Sequence, residues 1–544
     1  MERSVEAEVA ELIERYSGQE VNVAELLCDA HAEAGAEVLL FEGPSGITEM
    51  TYEQLRDDSR RLAGSLREAG VEAGDRVAVM LPKSPEIVVA LVAIWRLGAV
   101  EVPLFTAFGP DAAGFRALHS GARLAITDSA NRPKLEGAVA EGVQVVCVAD
   151  PGAVEEGDLD FAAAVRDGEP FAGVTRSGEE MMILLYTSGT TGQPKGVEFP
   201  VKGLASVHSY MSHSLDLRPD DVFWNIADPG WGYGLWYGLV GVMLLGQRMI
   251  LRGKPFEAEA VFETVTRHGV TNLAGAPTAY RSMRAAGVPA GFRESSKLRV
   301  ISSAGEPLNP ELLSWSAREL GVAIHDHYGQ SETGMTVAFH HDSRLHRDPA
   351  PGATGYPSPG FSIVVLGDDG RECDPGMEGE MAVDIPTSSL YWFRGYYRDP
   401  ERTAERFRHG DSYYLTADAA YKDGDGLLHF ASRADDVVTS AGYRIGPFEV
   451  ENALIAHEAV AEVAVIGTPD DLRGEAVTAF VVPSPGAQTG DELAEELQLF
   501  VKSRLAKHLY PRYVVFTEEL PRTPSGKVRR TVLREQWGTQ HSPA

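Results

Sequence analysis

From residue 76 to about residue 327, short apolar runs rich in β-branched residues alternate with longer stretches whose apolar positions recur at helical spacing. The runs 76–80, 124–127, 143–148, 182–185, 248–251 and 300–303 predict strands, and 256–268 and 309–320 predict helices between them. Strands that read as near-continuous apolar runs are covered on both faces, which a mainly parallel, helix-flanked sheet provides. The most apolar stretch, 87–104, is interrupted by Arg96, Gly98, Glu101 and Pro103. A membrane span needs roughly 20 largely uninterrupted apolar residues, so this stretch predicts a buried helix over 85–97 feeding a buried strand around 100–102. After Gly355 the pattern shortens: 361–366, the Asp369-Gly370 turn and 379–385 predict antiparallel hairpins. Beyond Asp435, a helix (447–456), two strands (460–467 and 476–482) and a helix (491–505) predict a small α+β unit, with 483–489 a loop between them. The fold class is α/β.

Composition narrows the picture further. A chain of 544 residues exceeds one hydrophobic core, so two or more domains are expected. The formal charge of −30 argues against nucleic acid or an anionic membrane as a partner. Cys28, Cys147 and Cys373 show no disulfide or metal-ligand spacing, which fits a reducing compartment. The first sixteen residues carry acids throughout and lack an apolar core, so they do not read as a secretory signal; the cytoplasm is the expected location. One segment departs from the acidic whole: 501–534 holds nine Lys or Arg and two acidic residues. It reads either as a solvated face or as a local site for phosphates.

The strongest local signal is Tyr186-Thr187-Ser188-Gly189-Thr190-Thr191-Gly192-Gln193-Pro194-Lys195-Gly196, directly after the strand at 182–185. Glycines let successive N–H groups face an anion, the hydroxyls of Thr187, Ser188, Thr190 and Thr191 add donors, and Lys195 adds charge. It is not a Walker A loop, because Pro194 precedes the lysine and Gly196 follows it. The segment is similar to the signature phosphate loop of the adenylate-forming superfamily of acyl-CoA synthetases, peptide-synthetase adenylation domains and luciferases. Five further motifs resemble that family's, in its order: Ala304-Gly305-Glu306-Pro307, Tyr328-Gly329-Gln330-Ser331-Glu332-Thr333-Gly334, Tyr414-Leu415-Thr416-Ala417-Asp418, the pair Ser432-Arg433-Ala434-Asp435-Asp436 and Gly442-Tyr443-Arg444, and Pro524-Ser525-Gly526-Lys527. The family usually has Gly where this chain has Ala417.

The resemblance implies an ATP-dependent acid–thiol ligase using ATP, Mg2+ and coenzyme A. Its implied nucleotide site comprises Thr187, Ser188, Gly189, Thr190, Thr191, Lys195, Gly305, Glu306, Pro307, Gln330, Ser331, Glu332 and Thr333, with Asp418 and Arg433 on the ribose. Glu332 would hold the metal, and Lys527, Glu332, Thr187 and Arg444 form the implied catalytic set. Gly442, Arg473, Lys502 and Arg504 are assigned to coenzyme A. It also implies an adenylation domain over 1–434, with a β-barrel-like section at about 355–430. A mobile α+β domain over 435–544 would pivot at Asp435. Outside that context, Asp418 reads as a turn residue, Arg433 as a surface ion pair, Ser331-Glu332 as a helix start, and Lys527 as a solvated lysine. Protein acyltransferases or deacylases acting on Lys527 are candidate partners, and the oligomeric state, a homo-oligomer included, stays open.

The stretches Asp228-Pro229-Gly230-Trp231-Gly232 and Ala441–Glu449 look closer to acetyl-CoA and medium-chain acyl-CoA synthetases than to peptide-synthetase modules. Acetyl-CoA synthetases carry a tryptophan immediately before the glutamine of the central motif. Gly329 stands there, which implies a deeper acid pocket. Of the aromatic cluster, Trp224, Trp236 and Tyr237 read as core, and Trp231 and Tyr233 as pocket lining. The expected substrate is a short- to medium-chain acid, branched or aromatic acids included. The rival readings are an enzyme that loads a carrier-protein thiol and a non-catalytic nucleotide binder.

Overall fold

The computed structural model describes residues 3–32, 35–150, 152–187, 194–433, 436, 438–440, 443–470, 474–505, 509–523 and 527–541. Among the described residues the strands form four sheets. A seven-stranded sheet carries Arg76–Met80, Val100–Pro103, Ala122–Asp128, Gln144–Val148 and Met181–Thr187 in parallel, with Lys195–Pro200 returning antiparallel at one edge. A nine-stranded sheet runs parallel from Glu37–Gly43 through Met249–Arg252, Phe223–Asn225, Asn272–Gly275 and Val300–Ala304 to Ile324–Gln330. The predicted α/β class is what the chain adopts.

The helix Pro85–Arg96 shows why this stretch is not a membrane span. It is buried from Ile87 to Arg96, but Arg96 is fully enclosed and binds Asp29 with both terminal nitrogens (2.7 and 3.0 Å). Asp29 also accepts from Arg60 (2.8 Å). A buried charge is tolerable when paired and hydrogen-bonded in this way. Glu101, on the next strand, is equally buried and has no counter-ion among the described residues, and burial pushes its carboxyl well above the usual range. Among the described residues no helix is long and apolar enough to cross a membrane.

Two predicted helices differ in detail. The first begins at Ala258 rather than 256. The second is a helix over Pro310–Trp315 that widens into a π-helical turn over Ser316–Leu320. There the Ser316 hydroxyl accepts the backbone N–H of Ile324 (3.0 Å), tying the helix end to the next strand.

The predicted hairpins appear as a four-stranded antiparallel sheet, Ile363–Leu366, Gly379–Asp384, Tyr413–Lys422 and Leu428–Arg433. The last sheet is built on the long pair Val460–Asp470 and Gly474–Pro483, flanked by the helices Pro447–Ile455 and Asp491–Arg504 and the strand Tyr513–Phe516. It has its own apolar core around Val450, Leu454, Val465, Val477, Leu497 and Val501.

Candidate functional site

The parallel strands Val300–Ala304 and Ile324–Gln330 end side by side, with Ala304 opposite His327. Carboxyl ends of parallel strands are where open α/β sheets place ligands. Gly305 follows the first strand with φ 98° and open space where a Cβ would stand. Glu306 does not face that space freely, since Arg281 (2.7 Å) and Thr278 (3.2 Å) hold its carboxylate.

The second strand turns back at Gln330–Gly334 into Gly334–Ala338, so Ser331 and Glu332 lie in a hairpin turn and open no helix. The turn closes with Thr333 N–H donating to the Gln330 carbonyl (3.2 Å). The same hairpin explains Gly329. A Cβ there would stand 2.2 Å from the Gly334 carbonyl oxygen and 2.8 Å from Met335 Cα. The glycine is therefore imposed by backbone approach across the hairpin. The simple reading of its missing side chain as pocket volume needs that correction.

Asp418 is gathered into this site from the four-stranded sheet. Its Oδ2 accepts from the Tyr328 hydroxyl (2.5 Å) and the Gln330 amide (2.7 Å). The Gln330 amide also donates to the Thr416 carbonyl (2.8 Å), and its oxygen accepts from Tyr414 (2.9 Å), so all its bonds agree with one orientation. Burial and the Asp418 charge push the Tyr328 phenol well above its ordinary range, so it remains a donor. Asp418 lies opposite Arg433 in strand register. It is a strand residue, preceded by Ala417 in the left-handed region at φ 61°. The glycine usual at that position would carry this conformation without strain.

Glu332 is nearly enclosed, and its Oε1 accepts from the Tyr396 hydroxyl (2.7 Å). Lys195 Nζ (3.2 Å) and Arg406 Nε (3.1 Å) both donate to the same phenol oxygen, and the Lys195 ammonium stands 4.6 Å from the Tyr396 ring centroid. Thr187 pairs with Lys195 in the strand register, which brings the edge of the phosphate loop to Glu332. Tyr396, Arg406, Tyr328 and Tyr414 were not singled out by sequence. The aromatic run Tyr391–Tyr397, interrupted only by Arg394 and Gly395, matches none of the motifs quoted above. Among the described residues no group of three metal-ligating side chains occurs. One carboxylate nonetheless fits magnesium, which keeps several waters and substrate phosphates as ligands.

The aromatic assignments also separate. Trp224, Trp236 and Tyr237 are core, while Trp231 and Tyr233 are half-buried. Trp231 packs against Phe105 (5.1 Å) and Phe108 (5.8 Å). Tyr233 packs on Tyr237 (5.7 Å), whose hydroxyl accepts Met335 N–H from the hairpin (3.1 Å). The Tyr210 hydroxyl, 3.5 Å from that of Tyr233, bonds Nδ1 of His327 (2.6 Å).

Lys527 is exposed, on a turn closed by Thr523 N–H to the Lys527 carbonyl (2.7 Å) and Lys527 N–H to the Thr523 hydroxyl (3.1 Å). Lys502 and Arg504 lie on an exposed helix end, over Tyr510 (5.3 Å) and Phe500 (4.1 Å) respectively. The basic segment is less bare than its sequence suggests. Arg522 pairs with Glu462 (2.5 Å), Arg530 with Glu451 (2.6 Å), and Arg530 and Arg534 with Asp436 (3.4 and 3.1 Å). Ser188, Gly189, Thr190, Thr191, Asp435, Gly442 and Arg473, and the side chains of Arg433 and Arg444, lie outside the described residues.

Residues 29–397 match the family described as AMP-binding enzyme, and 449–527 match the AMP-binding enzyme C-terminal domain. The chain is 34% identical over 527 residues to the acetyl-coenzyme A synthetase of Bacillus subtilis (strain 168), covering 94% of this chain and 90% of that one. It is 36% identical over 500 residues to the mitochondrial acyl-coenzyme A synthetase ACSM3 of Mus musculus, covering 90% and 84%. Among solved structures, the acyl-CoA synthetase of Brucella canis superposes with a TM-score of 0.77 at 44% identity, over 98% of both chains. The chain belongs to the AMP-binding enzyme family, and it is an ATP-dependent acid–coenzyme A ligase that works through an acyl-adenylate.

Proposed function

We propose that the acid is a short- to medium-chain carboxylic acid, branched and aromatic acids included. The observation that carries this reading is the half-buried pair Trp231 and Tyr233, set among Phe105, Phe108, Tyr210 and Tyr237 beside the hairpin of Gly329. The name of the Bacillus subtilis relative specifies acetyl-CoA, and that of the mouse relative a broader acyl-CoA product. A wall of aromatic rings favours an apolar body larger than a methyl group. Each methylene buried there is worth roughly 1 kcal/mol or somewhat more, so preference is graded.

The roles of the residues follow from charge. A carboxylic acid is already ionised at neutral pH, so the first step needs no general base. Its obstacle is repulsion between carboxylate and polyphosphate. Lys527 and Lys195 reduce it by charge, Asp418 and Gln330 orient the ribose end, and Glu332 would hold the magnesium that neutralises phosphate oxygens when bound. In the second step the coenzyme A thiol attacks the acyl carbonyl and AMP leaves.

In this reading residues 1–434 form the adenylation domain and 435–544 a mobile domain pivoting at Asp435, in a cytoplasmic enzyme. Lys527, being exposed, is within reach of a protein acyltransferase. The test is a panel of acids from acetate through octanoate, with branched and aromatic acids, scored for AMP release dependent on coenzyme A. Butyrate to octanoate or benzoate should exceed acetate in kcat/KM. A sharp optimum at acetate would overturn the substrate reading while leaving the ligase intact.

A further inference from the structure

We infer that Tyr396 is a positioning residue that keeps two cations from neutralising the metal-binding carboxylate. The inference rests on the assignment of Glu332 to magnesium. A phenol oxygen has one proton and two lone pairs. In Tyr396 all three are used: the proton goes to Glu332 (2.7 Å), and the lone pairs accept Lys195 (3.2 Å) and Arg406 (3.1 Å).

The arrangement solves a conflict within the site. The phosphate loop needs Lys195 near the polyphosphate, and Arg406 ties the end of the helix Pro400–Arg406 to the strand Tyr413–Lys422 by donating to the Leu415 carbonyl (3.3 Å). Both cations therefore lie close to Glu332. Either one, in direct contact with Glu332, would form an ion pair and occupy the lone pairs a cation ligand requires. The phenol takes up their N–H groups instead and passes only one hydrogen bond to Oε1. Among the described residues Glu332 makes no other hydrogen bond. Its second oxygen keeps its lone pairs for magnesium, a hard cation that favours such an oxygen.

Tyr396→Phe removes the hydroxyl and keeps the ring on which Lys195 rests. Lys195 or Arg406 should then reach Glu332 directly. Partners of a metal ligand typically change affinity by about 10–100-fold when removed. Mn2+ binding to the enzyme–ATP complex, followed by electron paramagnetic resonance, should weaken about tenfold in Tyr396→Phe. Binding of ATP without metal should change little. In a Glu332→Gln background, Tyr396→Phe should have no further effect on Mn2+. The decisive variant is Tyr396→Phe/Arg406→Met. Removing a competing cation should restore part of the lost Mn2+ affinity, which general damage to the fold would not do. Unchanged Mn2+ affinity in folded Tyr396→Phe, an additive effect with Glu332→Gln, or no recovery in the double variant would overturn the inference. Loss of the Mn2+ response in Glu332→Gln itself is the separate check on the assignment of Glu332, and a normal response there would refute that assignment.

Discussion

Gln330 and Asp418, 88 positions apart, are joined by a hydrogen bond of 2.7 Å that ties the hairpin of the nine-stranded sheet to the four-stranded sheet. The bond fixes the direction of a carboxylate assigned to the ribose. Gln330→Ala should raise the KM for ATP about tenfold, equivalent to about 1.4 kcal/mol, with a smaller change in kcat. Steady-state adenylation at varied ATP measures this. An unchanged KM would mean that Asp418 keeps its direction without Gln330.

Gly329→Ala should be destabilising by more than about 2 kcal/mol, because the new methyl meets backbone across the hairpin. Gly329→Trp should lose soluble yield before it shortens the preferred acid. Trp231→Ala is the cleaner probe of the pocket. It should shift the chain-length optimum upward in the same acid panel, and an unchanged profile would remove Trp231 from the pocket wall.

Lys527→Ala should slow acyl-adenylate formation by about 100- to 1,000-fold, the range for deleting one group that stabilises transition-state charge. Thioester formation from supplied acyl-AMP should continue at near the wild-type rate. Pyrophosphate exchange and thioester assays separate the two half-reactions, and equal losses would refute the division of labour.

Ala417 holds φ 61° directly before Asp418. Ala417→Gly should leave stability within about 1 kcal/mol of wild type, as relief of strain offsets added chain entropy. Ala417→Val should cost about 1–3 kcal/mol and weaken ATP binding, since a β-branched residue is a true outlier there. Thermal unfolding with and without ATP compares the pair.

Glu101 has its folded-state carboxyl pushed well above the usual range by burial. A raised folded pKa means that its contribution is fully present below the unfolded value of about 4.3 and lost as pH rises toward the folded value. Glu101→Leu should therefore gain on the wild type from about pH 4.5 upward, by up to about 1.4 kcal/mol per pH unit. Melting temperatures across pH 5–8 test the sign. A constant difference would show that the folded carboxyl is already ionised at pH 5 and is not held neutral by burial.

Much of this molecule was legible locally. The parallel strands announced themselves as apolar runs, and Thr187, Asp418 and Glu332 stood in recognisable motifs. What escaped depends on pairings between distant segments. Tyr396 reaches Glu332 across 64 positions, and no local pattern reports that contact. Gly329 was read as missing volume, because the approach of Gly334 depends on hairpin register, which spacing does not reveal. The basic segment read as either a solvated face or an anion site, yet Arg522, Arg530 and Arg534 find carboxylates 60 to 98 positions away.

The N-terminal helix Val5–Tyr16 sends Glu8 to Arg344 (2.8 Å), 336 positions later, and to His213 (2.9 Å), 205 positions later. Its apolar face, Val9, Leu12 and Tyr16, packs on the segment 201–209, where the Tyr16 hydroxyl meets Nδ1 of His208 (2.7 Å). During synthesis at about 5–20 residues per second, the helix emerges well ahead of these partners and waits roughly 20–70 s for Arg344. Until residues 201–209 are made, the ribosome carries an amphipathic segment without its docking site. A segment made early is thus secured late, and nascent chains stalled before residue 201 should be the forms most dependent on chaperones.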